Sequence, residues 1–201
     1  MEVFLYGQKE MDYLKRKDKK LALAIDRIGM IERSVIPDLF AALVHSIVGQ
    51  QISNKAVKTI WNRMLERFGE ITPQNIAAVP SEEVQQCGLS MRKASYVKGI
   101  CDTVLKGDLN VFELSKLPDE EIIKHLSSLH GIGVWTAEMI MIFSLQRPDI
   151  VSWGDLAIQR GMMLLYGHKT LDKTKFERYR KRYSPYGSVA SFYLWEIAAG
   201  R

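Results

Sequence analysis

In EEIIKHLSSL, residues 120–129, the apolar side chains Ile122, Ile123, Leu126 and Leu129 recur at helical steps and fall on one face of a helix. The same spacing runs through almost every apolar stretch of the chain, and residues that start helices punctuate it. Ser53 stands before NKAVKTIWNRMLERF, Thr72-Pro73 before QNIAAV, Ser81 before EEVQQC, Ser90 before MRKASYVKGICDTVL and Pro118-Asp119 before EEIIKHL. Side-chain oxygens at such positions accept from first-turn N–H groups, and proline fits where no donor is needed. Strand signals are scarce: VFLY (3–6) and IVSW (150–153) are short and have no evident partners. The expected fold is all-α, with roughly ten helices. The Pro148-Asp149 turn, after an apolar helix expected from Trp135 to Leu145, is where one lobe would hand over to another.

A chain of 201 residues with 47% apolar side chains can bury a substantial core. Its two cysteines, Cys87 and Cys101, allow neither a disulfide framework nor a four-cysteine cluster, which points to the cytoplasm. The charged start and the lack of an 18-residue apolar run argue against secretion and membrane insertion. Lys and Arg outnumber Asp and Glu by 28 to 23, which favours a polyanionic partner without demanding one. None of His45, His125, His130 and His168 falls in a zinc-like cluster, so no catalytic metal is indicated.

Residues 129–137 read LHGIGVWTA and place two glycines between a helix expected to end near Leu129 and one starting near Val134. Glycine permits positive φ and leaves no Cβ in the way, so backbone N–H groups of Gly131, Ile132 and Gly133 would approach a ligand closely. The positive end of the following helix suits a phosphate, an ordinary DNA contact. The same two glycines would equally serve a helix C-cap and a close helix–helix contact.

With these residues the chain resembles the helix-hairpin-helix DNA glycosylase superfamily, in which a glycine-rich hairpin precedes a catalytic Asp by about twenty residues. Here Asp155 follows Trp135 by twenty, in PDIVSWGDLAIQRGM. FAALVHSIVGQQIS (40–53), GLSMRKASYV (88–97) and YSPYGSVASFYLW (183–195) are similar to the matching segments of the 3-methyladenine DNA glycosylase II family. The resemblance implies two lobes with the active site in the cleft between them: one of about 38–146 carrying the hairpin 129–137, the other of 1–37 plus 147–201. It implies a monomer acting on double-stranded DNA that contains damaged bases. The reaction would be hydrolytic removal of alkylated purines such as 3-methyladenine or 7-methylguanine, leaving an abasic site.

Asp155 precedes a helical pattern, so its local role is an N-cap; the resemblance makes it the catalytic carboxylate as well. Release of a base builds positive charge on the sugar, which a fixed carboxylate stabilises. Where strand-cutting relatives carry a Schiff-base lysine, this chain has Trp135, which implies a monofunctional enzyme using water. Trp195 would face the base pocket and stack on a cationic alkylated purine; its alternative is a core position. Trp135, Trp153, Tyr193 and Met139 are further pocket candidates, although such residues at helical spacing also build cores. Gln50 and Gln51, before Ser53 in VGQQIS, lie where the family places the residue that fills the gap left by a rotated nucleotide, and Gln51 is preferred. Arg92, Lys93 and Lys98 would reach phosphates or form a solvated basic face. The resemblance requires no cofactor and no iron–sulfur cluster; it allows a Na⁺ or K⁺ on the main-chain carbonyls of Ser127, Leu129 and Ile132.

Two positions depart from the family pattern: His130 replaces the usual hairpin proline, and Gly187 in PYGS replaces an arginine. Rival readings are a non-catalytic hairpin module that only binds DNA and a bifunctional glycosylase, the latter disfavoured by Trp135.

Overall fold

The computed structural model describes residues 2–201. Among them there is no β-strand, only an isolated antiparallel bridge between Val3 and Ser34. Helices follow in the order α1 (Gln8–Lys17), α2 (Lys19–Ile28), α3 (Leu39–Gly49), α4 (Asn54–Phe68), α5 (Pro73–Ala77), α6 (Ser81–Gln86) and α7 (Met91–Leu105). They continue with α8 (Val111–Leu114), α9 (Asp119–Ser127), α10 (Val134–Phe143), α11 (Leu156–Tyr166), α12 (Lys173–Tyr183) and α13 (Gly187–Ala198). The all-α expectation holds. The helix starts read at Thr72-Pro73 and near Ser81 are met by the short α5 and α6, whereas α8, four residues long, carries too few apolar positions to show a period; the described residues hold thirteen helices where roughly ten are expected.

Ser53, Thr72 and Ser90 cap α4, α5 and α7 through their side chains. At α6 the flanking position belongs to Pro80, and Ser81 is the first helical residue. Proline in extended conformation needs no donor partner there, so the serine moves into the first turn. α10 stops at Phe143, short of Leu145, because Gln146 adopts φ +50° and the Arg147 N–H turns back to the Met141 carbonyl at 2.8 Å. That closure satisfies an end carbonyl that would otherwise lack a donor.

The chain forms two compact units, one built from residues up to Val35 with Met141–Arg201 and the other from Ile36–Ile140. The second boundary falls before the Pro148-Asp149 turn, since Asp149 is bound within the first unit. Its Oδ2 accepts from the Ser184 hydroxyl at 2.6 Å and its Oδ1 from the Gly187 N–H at 3.0 Å.

In the first unit α13 is buried along nearly its whole length. α11 lies against it backbone to backbone: a Cβ at Gly161 would meet the Leu194 carbonyl oxygen and come within 2.8 Å of its carbon. A buried carboxylate ties α2, α11 and α12 together. Asp18 caps α2 at the N–H groups of Lys20 and Leu21, and its Oδ2 accepts from the Tyr166 hydroxyl at 2.6 Å and from Arg182 at 3.2 Å. In the second unit Leu43, Ile47, Met64, Ile76, Val97, Ile100, Ile122 and Leu126 make the core. His45 of α3 meets Trp61 of α4 edge-on, with ring centroids 4.9 Å apart.

Gly161→Val would drive a branched side chain into the Leu194 backbone, at a cost of about 1–3 kcal/mol or more. Thermal unfolding should show a Tm several degrees below the parent. Burial also holds the His45 imidazole below its ordinary 6.5. As pH falls through 6.5 the unfolded chain takes up this proton first, so stability is full above that pH and declines below it. The decline is at most about 1.4 kcal/mol per pH unit and levels off once the folded protein also protonates. Urea midpoints measured from about pH 7.5 to about pH 5 should therefore fall less steeply in His45→Phe than in the parent.

Candidate active site and nucleic-acid interface

The hairpin lies in the Ile36–Ile140 unit and its two glycines do different work. Gly131 takes φ +88°, and a Cβ there would come within 2.5 Å of the Tyr96 ring and 2.9 Å of Ile47. It is needed for packing and for its left-handed backbone. Gly133 is exposed, and a Cβ there would meet nothing within 4 Å. Its carbonyl accepts from Ala137 at 2.9 Å, which makes it the residue before α10, whose first-turn N–H groups have no acceptor within the helix. The open backbone of the turn is thus at Gly133. Ile132 differs from expectation: it is buried, and its N–H is already donated to the Leu129 carbonyl at 3.0 Å.

The neighbouring glutamines also separate. The Gln50 amide donates to the Gly131 carbonyl at 2.7 Å, so it holds the hairpin. Gln51 is exposed and sits at φ +57°, a conformation that costs a residue with a Cβ roughly 1 kcal/mol or more. Lys93 is also a fastener. Its ammonium donates to the carbonyls of Val48 at 2.9 Å and Gln50 at 2.7 Å, satisfying the end of α3, and burial lowers its pKa. Lys98 does the same for α5, donating to Ile76, Ala77 and Val79. A basic residue near a helix C-terminus meets unpaired carbonyls before it meets solvent. Arg92 is exposed, and Ser53 is exposed with its hydroxyl accepting from Ala56 at 3.3 Å.

Asp155 lies in the other unit, 7% exposed, where it caps α11. Its Oδ1 accepts from the Ala157 and Ile158 N–H groups, both at 2.9 Å. The segment leading to it is stitched to the first turn of α13. The Ser188 hydroxyl donates to the Arg147 carbonyl at 2.6 Å and accepts from Ile150 at 3.0 Å; the Ser191 hydroxyl donates to the Ile150 carbonyl at 3.0 Å. Gln159 closes the loop from the far side by donating to the Trp153 carbonyl at 2.6 Å. A carboxylate fixed by backbone donors at a helix N-terminus, with little water around it, is suited to stabilising positive charge nearby.

Gly187 belongs to this fastening. A Cβ there would come within 2.7 Å of both the Asp149 carboxylate and Val151, so the backbone has no room for an arginine side chain at this position. His130, the other departure, is exposed.

The aromatic candidates divide by burial. Trp195 is partly exposed and stacks on Phe143 at 5.7 Å and Phe192 at 6.0 Å, which fixes its ring without burying it completely. Trp153 is partly buried and meets Phe176 edge-on at 5.1 Å. Trp135 is 47% exposed in the first turn of α10, and Met139 is partly exposed. Tyr193 is fully buried, with its hydroxyl donating to Gly29 or Met11, each at 3.0 Å, and burial raises its pKa. It is a core residue and offers no ring to a base. Sequence reasoning missed Asp149, Ser188 and Gly161; the last had a signal, a glycine inside an apolar helix pattern.

Among the described residues no group of three His, Cys, Asp or Glu could hold a metal ion, and no helix is long and apolar enough to cross a membrane. Residues 44–185 match the HhH-GPD superfamily of base excision DNA repair proteins. A Schizosaccharomyces pombe protein, DNA-3-methyladenine glycosylase 1, is 33% identical over 167 residues, covering 79% of this chain and 72% of the relative. The crystal structure of a Bacillus halodurans DNA-3-methyladenine glycosidase superposes with a TM-score of 0.86 at 37% identity, over 98% of this chain and 93% of that one. A Schizosaccharomyces pombe 3-methyladenine DNA glycosylase in complex with abasic DNA gives 0.81 at 29% identity, over 94% and 96%. With its hairpin, its capped aspartate and these matches, the chain belongs to the HhH-GPD superfamily of base excision DNA repair proteins.

Proposed function

We propose that this protein is a monofunctional DNA glycosylase that hydrolyses the N-glycosidic bond of alkylated purines in duplex DNA and leaves an abasic site. The observation that carries the reading is Asp155: a buried carboxylate anchored by two backbone N–H groups at the start of α11. Loss of an alkylated base builds positive charge on the deoxyribose, and a carboxylate held in place stabilises that charge without reorganising. Water then completes the substitution at the sugar. With Trp135 in the family's lysine position there is no amine for a Schiff base, so the strand stays intact.

The remaining residues take roles that suit their surroundings. Gly133 and the start of α10 would meet a DNA phosphate. Gln51 would fill the gap left by the extruded nucleotide, and its left-handed backbone at an exposed turn fits a strained functional position. Trp195, steadied by Phe143 and Phe192, would stack on the cationic base. Carbonyl oxygens of Ser127, Leu129 and Ile132 are hard donors of the type Na⁺ and K⁺ accept, and Leu129 has a second lone pair beyond its bond from Ile132. A cation there would add positive charge next to the phosphate. The protein would act as a monomer.

Asp155→Asn tests the chemistry cleanly, because asparagine also caps helices and the fold should survive. In single-turnover release of labelled methylpurines the variant should lose about 10²–10⁴-fold, with strand breaks in the parent's products only after alkali. Release by the variant at the parent's rate would reduce Asp155 to a cap. Gln51→Gly separates strain from function: glycine accepts φ +57° freely, so Tm should hold or rise while base release slows. A variant as fast as the parent would remove Gln51 from the mechanism.

A further inference from the structure

Charge is divided unequally between the two units. The unit of residues up to Val35 with Met141–Arg201 contains eighteen Lys and Arg against eleven Asp and Glu, a net +7; Ile36–Ile140, which carries the hairpin, contains ten against twelve, a net −2. An acidic unit supplies little long-range attraction for a polyanion, and the hairpin's backbone donors act only at contact.

The positive charge is concentrated on α12. Phe176, Tyr179 and Tyr183 bury one side of it, which turns Lys173, Arg178, Lys181 and Arg182 outward along the opposite side. Lys173 and Lys181 have no ion-pair partner among the described residues. Glu177, the carboxylate on this face, is paired with Arg180 at 3.8 Å. Arg178 and Arg182 lie over the Tyr179 ring at 5.4 and 5.1 Å, and Arg182 is steadied by buried Asp18 at 3.2 Å. These contacts hold the guanidiniums outward without neutralising them all. From Arg182 the surface continues through a shallow depression to Lys17, Lys19 and Lys20 at the junction of α1 and α2. An eleven-residue helix spans about 16 Å, the length of about five phosphates on one strand of duplex DNA.

We propose that the outward face of α12, continued by Lys17, Lys19 and Lys20, is a second binding surface for the DNA sugar-phosphate backbone. It supplies most of the salt-sensitive attraction, while the hairpin positions the strand. The proposal rests on the reading of the chain as a DNA-acting protein, but not on its chemistry.

The test is binding to undamaged duplex DNA across a salt titration, comparing the parent with Lys173→Gln/Arg178→Gln/Lys181→Gln. Each lost phosphate contact should reduce the slope of log affinity against log salt by about 0.9, so the triple variant should lose about 2–3 from that slope and at least about tenfold in affinity at low salt. The charge-conserving Lys173→Arg/Arg178→Lys/Lys181→Arg should keep the parent's slope. Lys9→Gln/Lys106→Gln/Lys116→Gln, which removes the same net charge elsewhere, should also keep it. Circular dichroism and Tm would establish that each variant is folded. An unchanged slope in the α12 triple overturns the proposal and leaves the face to an acidic protein partner. An equal loss in the distributed triple overturns it as well, by making the effect one of net charge. A parent that binds but releases no base would sink the glycosylase reading and leave this one standing.

Discussion

The carbonyl of Leu194 occupies the space where a side chain at position 161 would begin, and that backbone contact sets how α11 lies on α13. Both ends of the proposed chemistry in this unit depend on it. Asp155 is the cap of α11, and Trp195 follows Leu194 directly on α13. A glycine inside a helix costs about 1 kcal/mol relative to alanine, a cost offset here by the close approach it permits. The serines and Asp149 that stitch residues 147–151 to the start of α13 extend the same constraint along the chain. Asp155 is therefore held from both directions, by its own helix and by the fastened segment before it.

The hairpin unit shows the same economy of polar groups. Gln50 and Lys93 spend their donors on the Gly131, Val48 and Gln50 carbonyls, and those bonds give the turn a fixed shape. Side chains that look like DNA contacts in the sequence are consumed in building the surface. What this unit still offers a strand is backbone, at Gly133 and the start of α10, together with the exposed side chains of Gln51, Ser53, Arg92 and His130. Such a site positions a phosphate but attracts it weakly from a distance, and this is why the concentration of positive charge on α12 matters.

Much of this was legible locally. The longer helices, the caps at Ser53, Thr72 and Ser90, and Asp155 at the head of α11 follow from side-chain period and from the affinity of short polar side chains for unpaired N–H groups. The caps Asp18, Asp38, Asn110 and Asp172 were not read. Among the short helices α5 and α6 were marked by Thr72-Pro73 and Ser81, but α8 was not legible, because a single turn has no period to read. Nor were Tyr193 and Gly187: the first is closed into the core by Gly29 and Met11, the second by Asp149 and Val151, partners far away in the chain.

The sequence by itself determined an all-α chain, a glycine turn between two helices, and an aspartate twenty residues beyond a tryptophan that cannot form a Schiff base. Only the tertiary structure decided which of two adjacent, chemically identical glutamines holds the hairpin and which stands in solvent. Gln50 finds its acceptor 81 positions away, and Gln51 is turned outward by a left-handed backbone. The same holds for Arg92 and Lys93, neighbours of like charge, of which one is exposed and the other closes the end of α3. A local pattern fixes residue type and helical phase; which polar group is used up depends on a partner that folding alone brings within 3 Å.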